Sequence, residues 1–251
     1  MAVNAAWLII GVLVYVAQPP AGFFRVFSDT LPVVAAALAI APTLAGAYYF
    51  GPDEPQRKVW FFLGFGLFLW GLGEISWWVL EIVAGLNNPF PSVADVFWLS
   101  GYPPLLIGFI LSWRRFDLRI KLRTMAAWLV GLGFATAASF IFILLPIVQS
   151  NLQVTEKFLD LAYPVGDILI LGAASLTLTA FGYGVLSRPW KIITAGFMII
   201  LVADLIYSYL SFFEMYKSEN RNPIDLLWAA GYLIIGIGAL SQIDIFKRPA
   251  L

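Results

Sequence analysis

Long apolar runs separated by short polar breaks are the main pattern of this chain. A run of about 20 mainly apolar residues is long enough to cross a bilayer as a helix, and eight such runs follow one another along the sequence. The breaks between them carry proline, glycine, asparagine or charged residues, as in 51–55 and 220–223. The predicted spans are 3–22, 30–50, 58–83, 94–112, 124–148, 157–184, 190–213 and 223–243.

This pattern predicts an all-α fold: a polytopic transmembrane helical bundle of about eight spans, or seven if the first does not cross. Of the 251 residues, 61% are hydrophobic and 12% are charged. Soluble domains are about 45–50% apolar and about 25% charged, so lipid-facing surface accounts for the difference. The spans leave no room for a soluble domain, and residues 1–251 are expected to form a single transmembrane domain.

The charge and composition exclude several functions. The net charge is zero, which gives no footprint for nucleic acid. The chain has no Cys and no His, and this removes thiol chemistry, His general bases and the usual zinc sites. No nucleophile–base pair and no D-D-x-x-D motif is present, so we expect neither catalytic residues nor a metal site, and no enzyme activity. The sequence indicates no particular cofactor.

The basic residues predict the orientation. Cytoplasmic loops of membrane proteins carry the excess of Lys and Arg, and the richest loop here is 113–123. If that loop is cytoplasmic, alternation of the spans puts eleven of the fifteen basic residues on the same side. We therefore expect a multi-pass membrane protein with a cytoplasmic C-terminus.

An internal repeat relates spans 3 and 4 to spans 7 and 8 at an offset of 130 residues. The segment 95–102 reads D-x-x-W-x-x-G-Y, and 225–232 reads the same. Upstream, Glu74-x-x-Trp77 corresponds to Asp204-x-x-Tyr207. We predict two tandem four-helix repeats, 1–123 and 124–251, related by an axis along the membrane normal as in parallel-repeat transporters.

Acidic residues inside the apolar spans are the candidate functional groups. Intramembrane acids are costly and normally face protein or water rather than lipid. Aromatic residues accompany them at helical spacing, so that four helices each present an acid-plus-aromatic face to the outer half of the bundle. We expect Glu74, Asp167 and Asp204, the deepest acids, to face one another across a cavity. The predicted ligand-binding residues are Glu74, Trp77, Asp95, Trp98, Tyr102, Tyr163, Asp167, Asp204, Tyr207, Asp225, Trp228 and Tyr232.

Structural explanations for the same residues remain open. Asp95 and Asp225 begin their spans, where an acid can cap a helix or stabilise its first turn. Trp and Tyr near helix ends often form the interfacial belt. Glu81 and Asp160 can reach the outer headgroups. The deep acids can also form a purely structural network of hydrogen bonds with Tyr, Trp and Ser.

Two functional hypotheses follow from these residues. The first is a sensor or receptor-like module that binds a small ligand or a cation in an outward-facing acidic and aromatic cavity. The second is a cation, amine or proton-coupled transporter, for which tandem repeats and midplane acids are typical. The expected partners are the lipid bilayer and the ligand.

Several short motifs resemble the N-terminal multi-helix membrane sensor region of bacterial GGDEF/EAL signalling proteins and of some prokaryotic sensor kinases. They include Gly73-Glu74-x-x-Trp77, Ala162-Tyr163-Pro164-x-Gly166-Asp167 and the two D-x-x-W-x-x-G-Y segments. The resemblance covers about 57–243 and implies a sensory input module of a prokaryotic plasma (inner) membrane. No output domain lies within the 251 residues. We therefore expect either a longer protein or a cytoplasmic signalling partner.

Overall fold

Eight helices without strands make up the part of the protein that the computed structural model describes, residues 1–113, 122–180, 187–216 and 222–247. Arg114, Arg115, Arg119, Lys121, Lys217, Arg221 and Arg248, which entered the predicted orientation, lie outside these residues. Two helices contain a π-helical segment, Val79–Val83 at the end of the third and Phe140–Leu144 within the fifth. The helices are α1 (Ala2–Ala17), α2 (Ala21–Ala47), α3 (Pro55–Val83), α4 (Val93–Trp113), α5 (Leu122–Gln149), α6 (Val154–Ala180), α7 (Ser187–Phe212) and α8 (Asp225–Lys247).

Helices α2 to α8 are each long and apolar enough to cross a membrane. This confirms the predicted all-α, polytopic bundle. The first break was misplaced, however. The predicted first span ran to residue 22, whereas α1 ends at Ala17 and α2 already begins at Ala21. Gln18 adopts a left-handed conformation (φ 51°) that ends α1, and Pro20, with its fixed φ, precedes the first turn of α2.

The short helix α1 lies along α8 rather than across the end of the bundle. Met1 is near Ser241, the Asn4 amide donates to the carbonyl of Leu233, and the Tyr15 hydroxyl donates to Asp225. These contacts run in opposite directions along the two helices, so α1 is antiparallel to α8. Its 16 residues span about 24 Å at 1.5 Å per residue, somewhat less than the hydrocarbon thickness.

Six of the helices form a closed ring in the order α2, α3, α4, α6, α7, α8 and back to α2. Helix α1 packs outside the ring on α8 and α2, and α5 packs outside it mainly on α6. Much of α5 faces outward, with Val130 73% and Phe134 76% exposed, as expected for side chains in contact with lipid. The ring order is unchanged when α2, α3 and α4 are exchanged for α6, α7 and α8.

Close helix crossings recur at the 130-residue offset. A Cβ on Gly66 would lie 3.0 Å from the carbonyl oxygen of Gly101, and one on Gly196 would lie 2.7 Å from that of Gly231. Further along, a Cβ on Gly108 would lie 3.1 Å from the backbone nitrogen of Leu63, and one on Gly238 would lie 2.8 Å from that of Ile193. The pairs α3–α4 and α7–α8 therefore cross at equivalent glycines. The division into two four-helix repeats remains a prediction.

Candidate ligand-binding cavity

A cavity of about 690 Å³ opens at one end of the six-helix ring. At this end α2, α4, α6 and α8 begin, while α1, α3, α5 and α7 end. All six ring helices contribute to its wall. The volume lies in the range of small-molecule sites, about 300–1,000 Å³. We call this end of the bundle the open end.

Most of the residues singled out from the sequence line this one cavity, contributed by α3, α4, α6, α7 and α8. Acidic and aromatic side chains alternate around the wall. The predicted residues that line it are Glu74, Trp77, Asp95, Trp98, Tyr102, Tyr163, Asp204, Tyr207, Asp225, Trp228 and Tyr232.

One group in the wall, which we call the second half-site, consists of Asp204, Tyr207 and Trp228. The Trp228 indole donates a hydrogen bond of 2.6 Å to Oδ1 of Asp204. The ring of Tyr207, one turn along α7, packs edge-to-face on Trp228 with centroids 5.5 Å apart. Among the described residues, Oδ2 of Asp204 has no protein hydrogen-bond donor, so this oxygen is free to accept one from a ligand.

The equivalent group 130 residues earlier, the first half-site, consists of Glu74, Trp77 and Trp98. Trp98 packs over Gly73, where only a hydrogen in place of a side chain leaves room for the indole, and its side chain interacts with Glu74. The rings of Trp77 and Trp98 are 5.7 Å apart. Glu74 also accepts a hydrogen bond of 3.1 Å from the Tyr232 hydroxyl of α8. The two half-sites thus share a design of an acid held by an indole with a second ring beside it.

Asp167 is not among the residues that line the cavity, although its carboxyl is close enough to that of Asp204 to interact electrostatically. Its side chain is fully buried between α6 and α4, where Oδ1 accepts a hydrogen bond of 2.5 Å from the Tyr102 hydroxyl. The Tyr102 ring lies against Gly166, at a distance that a Cβ would not allow. Helical spacing placed Asp167 on the inward face of α6. It could not show that this acid would be buried and hydrogen-bonded to a tyrosine of the neighbouring helix.

Asp95 and Asp225, at the mouth of the cavity, are both first-turn acids of their helices and residues of the cavity wall. Asp95 forms a capping box, accepting a hydrogen bond of 2.6 Å from the backbone N–H of Ser92 while the Ser92 hydroxyl accepts one from Ala94. Its other carboxylate oxygen accepts a hydrogen bond of 2.7 Å from the Tyr163 hydroxyl. The Asp95 carboxylate therefore caps α4 and also joins α4 to α6.

Asp225 begins α8 and accepts hydrogen bonds from two tyrosines, Tyr216 at 3.0 Å and Tyr15 at 3.4 Å. Tyr216 follows the end of α7. Burial, together with the adjacent Asp225, raises the pKa of the Tyr216 hydroxyl above its ordinary value, so the phenol stays a neutral donor. Like Asp95, Asp225 serves as a first-turn acid and as part of the cavity wall.

Several lining residues were not proposed as ligands from the sequence, notably Arg25, Asp29, Glu81 and Asp160. The Arg25 guanidinium donates to the carbonyl of Glu81 (3.1 Å), in the last turn of α3, and to that of Leu86 (2.9 Å), beyond the end of α3. Asp29 interacts with the carboxyl of Glu81. Arg25 and Asp29 were missed because the second span was predicted to begin at residue 30. The Pro19-Pro20 pair signals a helix start nearby and would have placed both residues on α2.

Packed aromatic rings close the cavity below. The ring of Trp70 contacts those of Tyr102 (centroids 5.6 Å apart), Phe197 (6.2 Å) and Tyr232 (6.4 Å). Phe197 packs in turn on Phe109 at 5.1 Å. Both phenylalanines are fully buried, so the half of the bundle away from the open end is filled with side chains.

The wall is predominantly acidic and aromatic in composition. Arg25 is the only basic residue among the described residues that line it, against seven acids. Within the same part of the chain, no three Asp or Glu residues are grouped closely enough to hold a metal ion. The wall is thus suited to an organic cation, which carboxylates attract and aromatic faces stabilise through cation–π contacts.

Comparisons of the chain with protein-family models, with curated proteins and with solved structures find no match. The fold and the cavity therefore carry the functional argument.

Proposed function

We propose that this protein is a sensor or receptor-like membrane module that binds a small organic cation in the cavity at its open end. The observation that carries the proposal is the composition of one wall. Acids and aromatic rings from all six ring helices converge on a single space of about 690 Å³. Intramembrane acids are costly, and a bound cation would offset that cost.

The proposed orientation puts the cavity outside the cell. At the opposite end of the bundle lie the basic residues of the helix termini, including Arg57 and Lys58 of α3, Arg123 of α5, and Arg188 and Lys191 of α7. The positive-inside rule assigns that end to the cytoplasm of a prokaryotic inner membrane. An external amine could then enter the cavity without crossing the bilayer, and a cytoplasmic partner could respond at the other end.

A binding assay tests this proposal. Trp77, Trp98 and Trp228 line the cavity, so butylamine should change the tryptophan fluorescence of the protein in nanodiscs in a saturable way. Acetate, an anion of similar size, should not. Asp53 is exposed in the loop between α2 and α3, so Asp53→Asn is the matched control and should bind butylamine normally. Saturable binding of acetate would exclude a cation receptor. The absence of saturable binding by any amine would exclude it as well.

Transport is the second candidate function. It is favoured by the equivalent helix crossings in the pairs α3–α4 and α7–α8, which both line the cavity. Two such halves can rock about a shared site in alternating access. The aromatic floor formed by Trp70, Tyr102, Phe197 and Tyr232 favours the receptor instead, since it leaves a single opening. Liposomes with reconstituted protein separate the two functions: a carrier accumulates radiolabelled butylamine inside, whereas a receptor binds it without flux.

A further inference from the structure

We propose that the cavity selects a linear ligand with an ammonium group at each end, one group taken by the first half-site and the other by the second. This inference rests on the proposed cation-binding function and names the class of cation. The observation that carries it is the duplication of one acid-and-ring arrangement in two walls of one cavity.

The two half-sites are alike in the features that would recognise an ammonium group. Each offers one carboxylate, Glu74 or Asp204, with an indole and a second aromatic ring beside it. Each ring pair has nearly the same spacing, 5.7 Å between Trp77 and Trp98 and 5.5 Å between Tyr207 and Trp228. An ammonium group that fits one half-site would therefore fit the other.

A single ammonium group bound within one half-site would leave the acid of the other half-site without a positively charged partner. Glu74 and Asp204 are close enough to interact electrostatically, and no described basic residue contacts either carboxylate. An acid left without a partner at this depth is costly. A ligand with two ammonium groups gives each acid a partner, and the link between the groups raises the effective concentration of the second once the first is bound.

The space between the half-sites suits an aliphatic linker. Trp70, Tyr102 and Tyr232 supply aromatic surface to the wall of the same cavity. Methylene groups gain by contact with such surfaces, whereas a bare divalent metal would need several oxygen ligands at about 2.0–2.6 Å. No described group of three acids provides that arrangement.

The test compares butylamine with diaminobutane and with shorter and longer diamines, by isothermal titration calorimetry on the full chain in nanodiscs. We expect the best diamine to bind about tenfold or more tightly than the monoamine of equal length. We also expect affinity to pass through a maximum with linker length. The stoichiometry should be one diamine, but two monoamines, per protein.

Single-site variants locate the two contacts. Glu74→Gln and Asp204→Asn should each bring the affinity for the diamine down to that for the monoamine and reduce the monoamine stoichiometry to one. Asp53→Asn should change neither. Circular dichroism melting of each variant shows whether it is folded, and the retained monoamine site is a second check, since an unfolded variant would bind nothing.

Two outcomes would overturn the inference in distinguishable ways. If monoamine and diamine bind equally tightly and at the same stoichiometry, the ligand is a single cation, and the proposed function stands without the inference. If no amine binds to the wild-type protein, both fail, and the acids are structural hydrogen-bond partners.

Discussion

Replacing Gly196 with alanine tests the helix crossing on which the second half-site depends. Gly196 of α7 faces α8 so closely that an added Cβ would lie 2.6 Å from Cγ1 of Ile235, 2.7 Å from the carbonyl oxygen of Gly231 and 2.9 Å from the backbone nitrogen of Ile235. Two of these three atoms belong to the backbone. They cannot turn aside as a side chain could, so α7 and α8 must move apart.

The expected magnitude follows from two opposing effects. Overpacking of a tight contact costs about 1–3 kcal/mol, while alanine in place of glycine within a helix contributes roughly 0.5–1 kcal/mol in favour of folding. Since the clash involves backbone, we expect a net loss of about 2 kcal/mol of unfolding free energy. Gly131 on α5 has no atom within 4 Å of its would-be Cβ. There only the helix effect operates, and Gly131→Ala should be neutral or slightly stabilising.

The assay is reversible unfolding in mixed micelles of increasing SDS content, followed by circular dichroism. The difference between the unfolding midpoints of Gly196→Ala and Gly131→Ala isolates the contribution of helix packing to stability, since both substitutions replace a glycine with an alanine. Gly66→Ala, at the equivalent crossing, should behave like Gly196→Ala because its Cβ would lie 2.5 Å from Cγ of Leu105 and 3.0 Å from the carbonyl oxygen of Gly101. Equal midpoints for Gly196→Ala and Gly131→Ala would show that the α7–α8 crossing is not as close as described.

Three further predictions concern the cavity and the orientation. Tyr102→Phe leaves the buried Asp167 without its hydrogen-bond donor and should lower the unfolding free energy by about 1–3 kcal/mol in the same SDS titration. Tyr48→Phe, at an exposed tyrosine, should not lower it. Equal effects of the two substitutions would contradict the Tyr102–Asp167 hydrogen bond. Asp204→Asn should remove the part of the pH dependence of butylamine binding that the second half-site contributes, since an amide does not ionise. An unchanged pH profile by fluorescence titration would remove Asp204 from the site. An impermeant maleimide added to intact cells should label Asn88→Cys, at the open end, but not Asp53→Cys; the reverse labelling would invert the proposed orientation.

The sequence predicted the fold class because apolar runs of this length have few alternatives in a membrane. It also indicated most of the cavity wall. An acid and aromatic residues at i, i+3 and i+7, as in Asp95, Trp98 and Tyr102, share one face of a helix. That face had to point inward, since lipid does not tolerate it.

The arrangement of helices could not be predicted from periodicity. The residue pattern of a helix shows which of its faces is polar, but it does not show which neighbouring helix packs against that face. Asp167 was therefore placed in the cavity wall, whereas in the structure it is fully buried and accepts a hydrogen bond from Tyr102 of α4. In the same way nothing in the sequence indicated that Asp225 would accept a bond from Tyr15, a contact between helices at opposite ends of the chain.

A pair of identical subunits related by a two-fold axis must form every contact twice. Tyr102 and Tyr232 are at equivalent positions in the two D-x-x-W-x-x-G-Y segments, yet Tyr102 bonds to the buried Asp167 and Tyr232 bonds to Glu74 in the cavity wall. A homodimer built from one such segment could not make that distinction. Because both segments lie in one polypeptide, mutation can alter one tyrosine's surroundings and leave the other's unchanged, so one tyrosine of the pair can stabilise helix packing while the other holds an acid of the cavity wall.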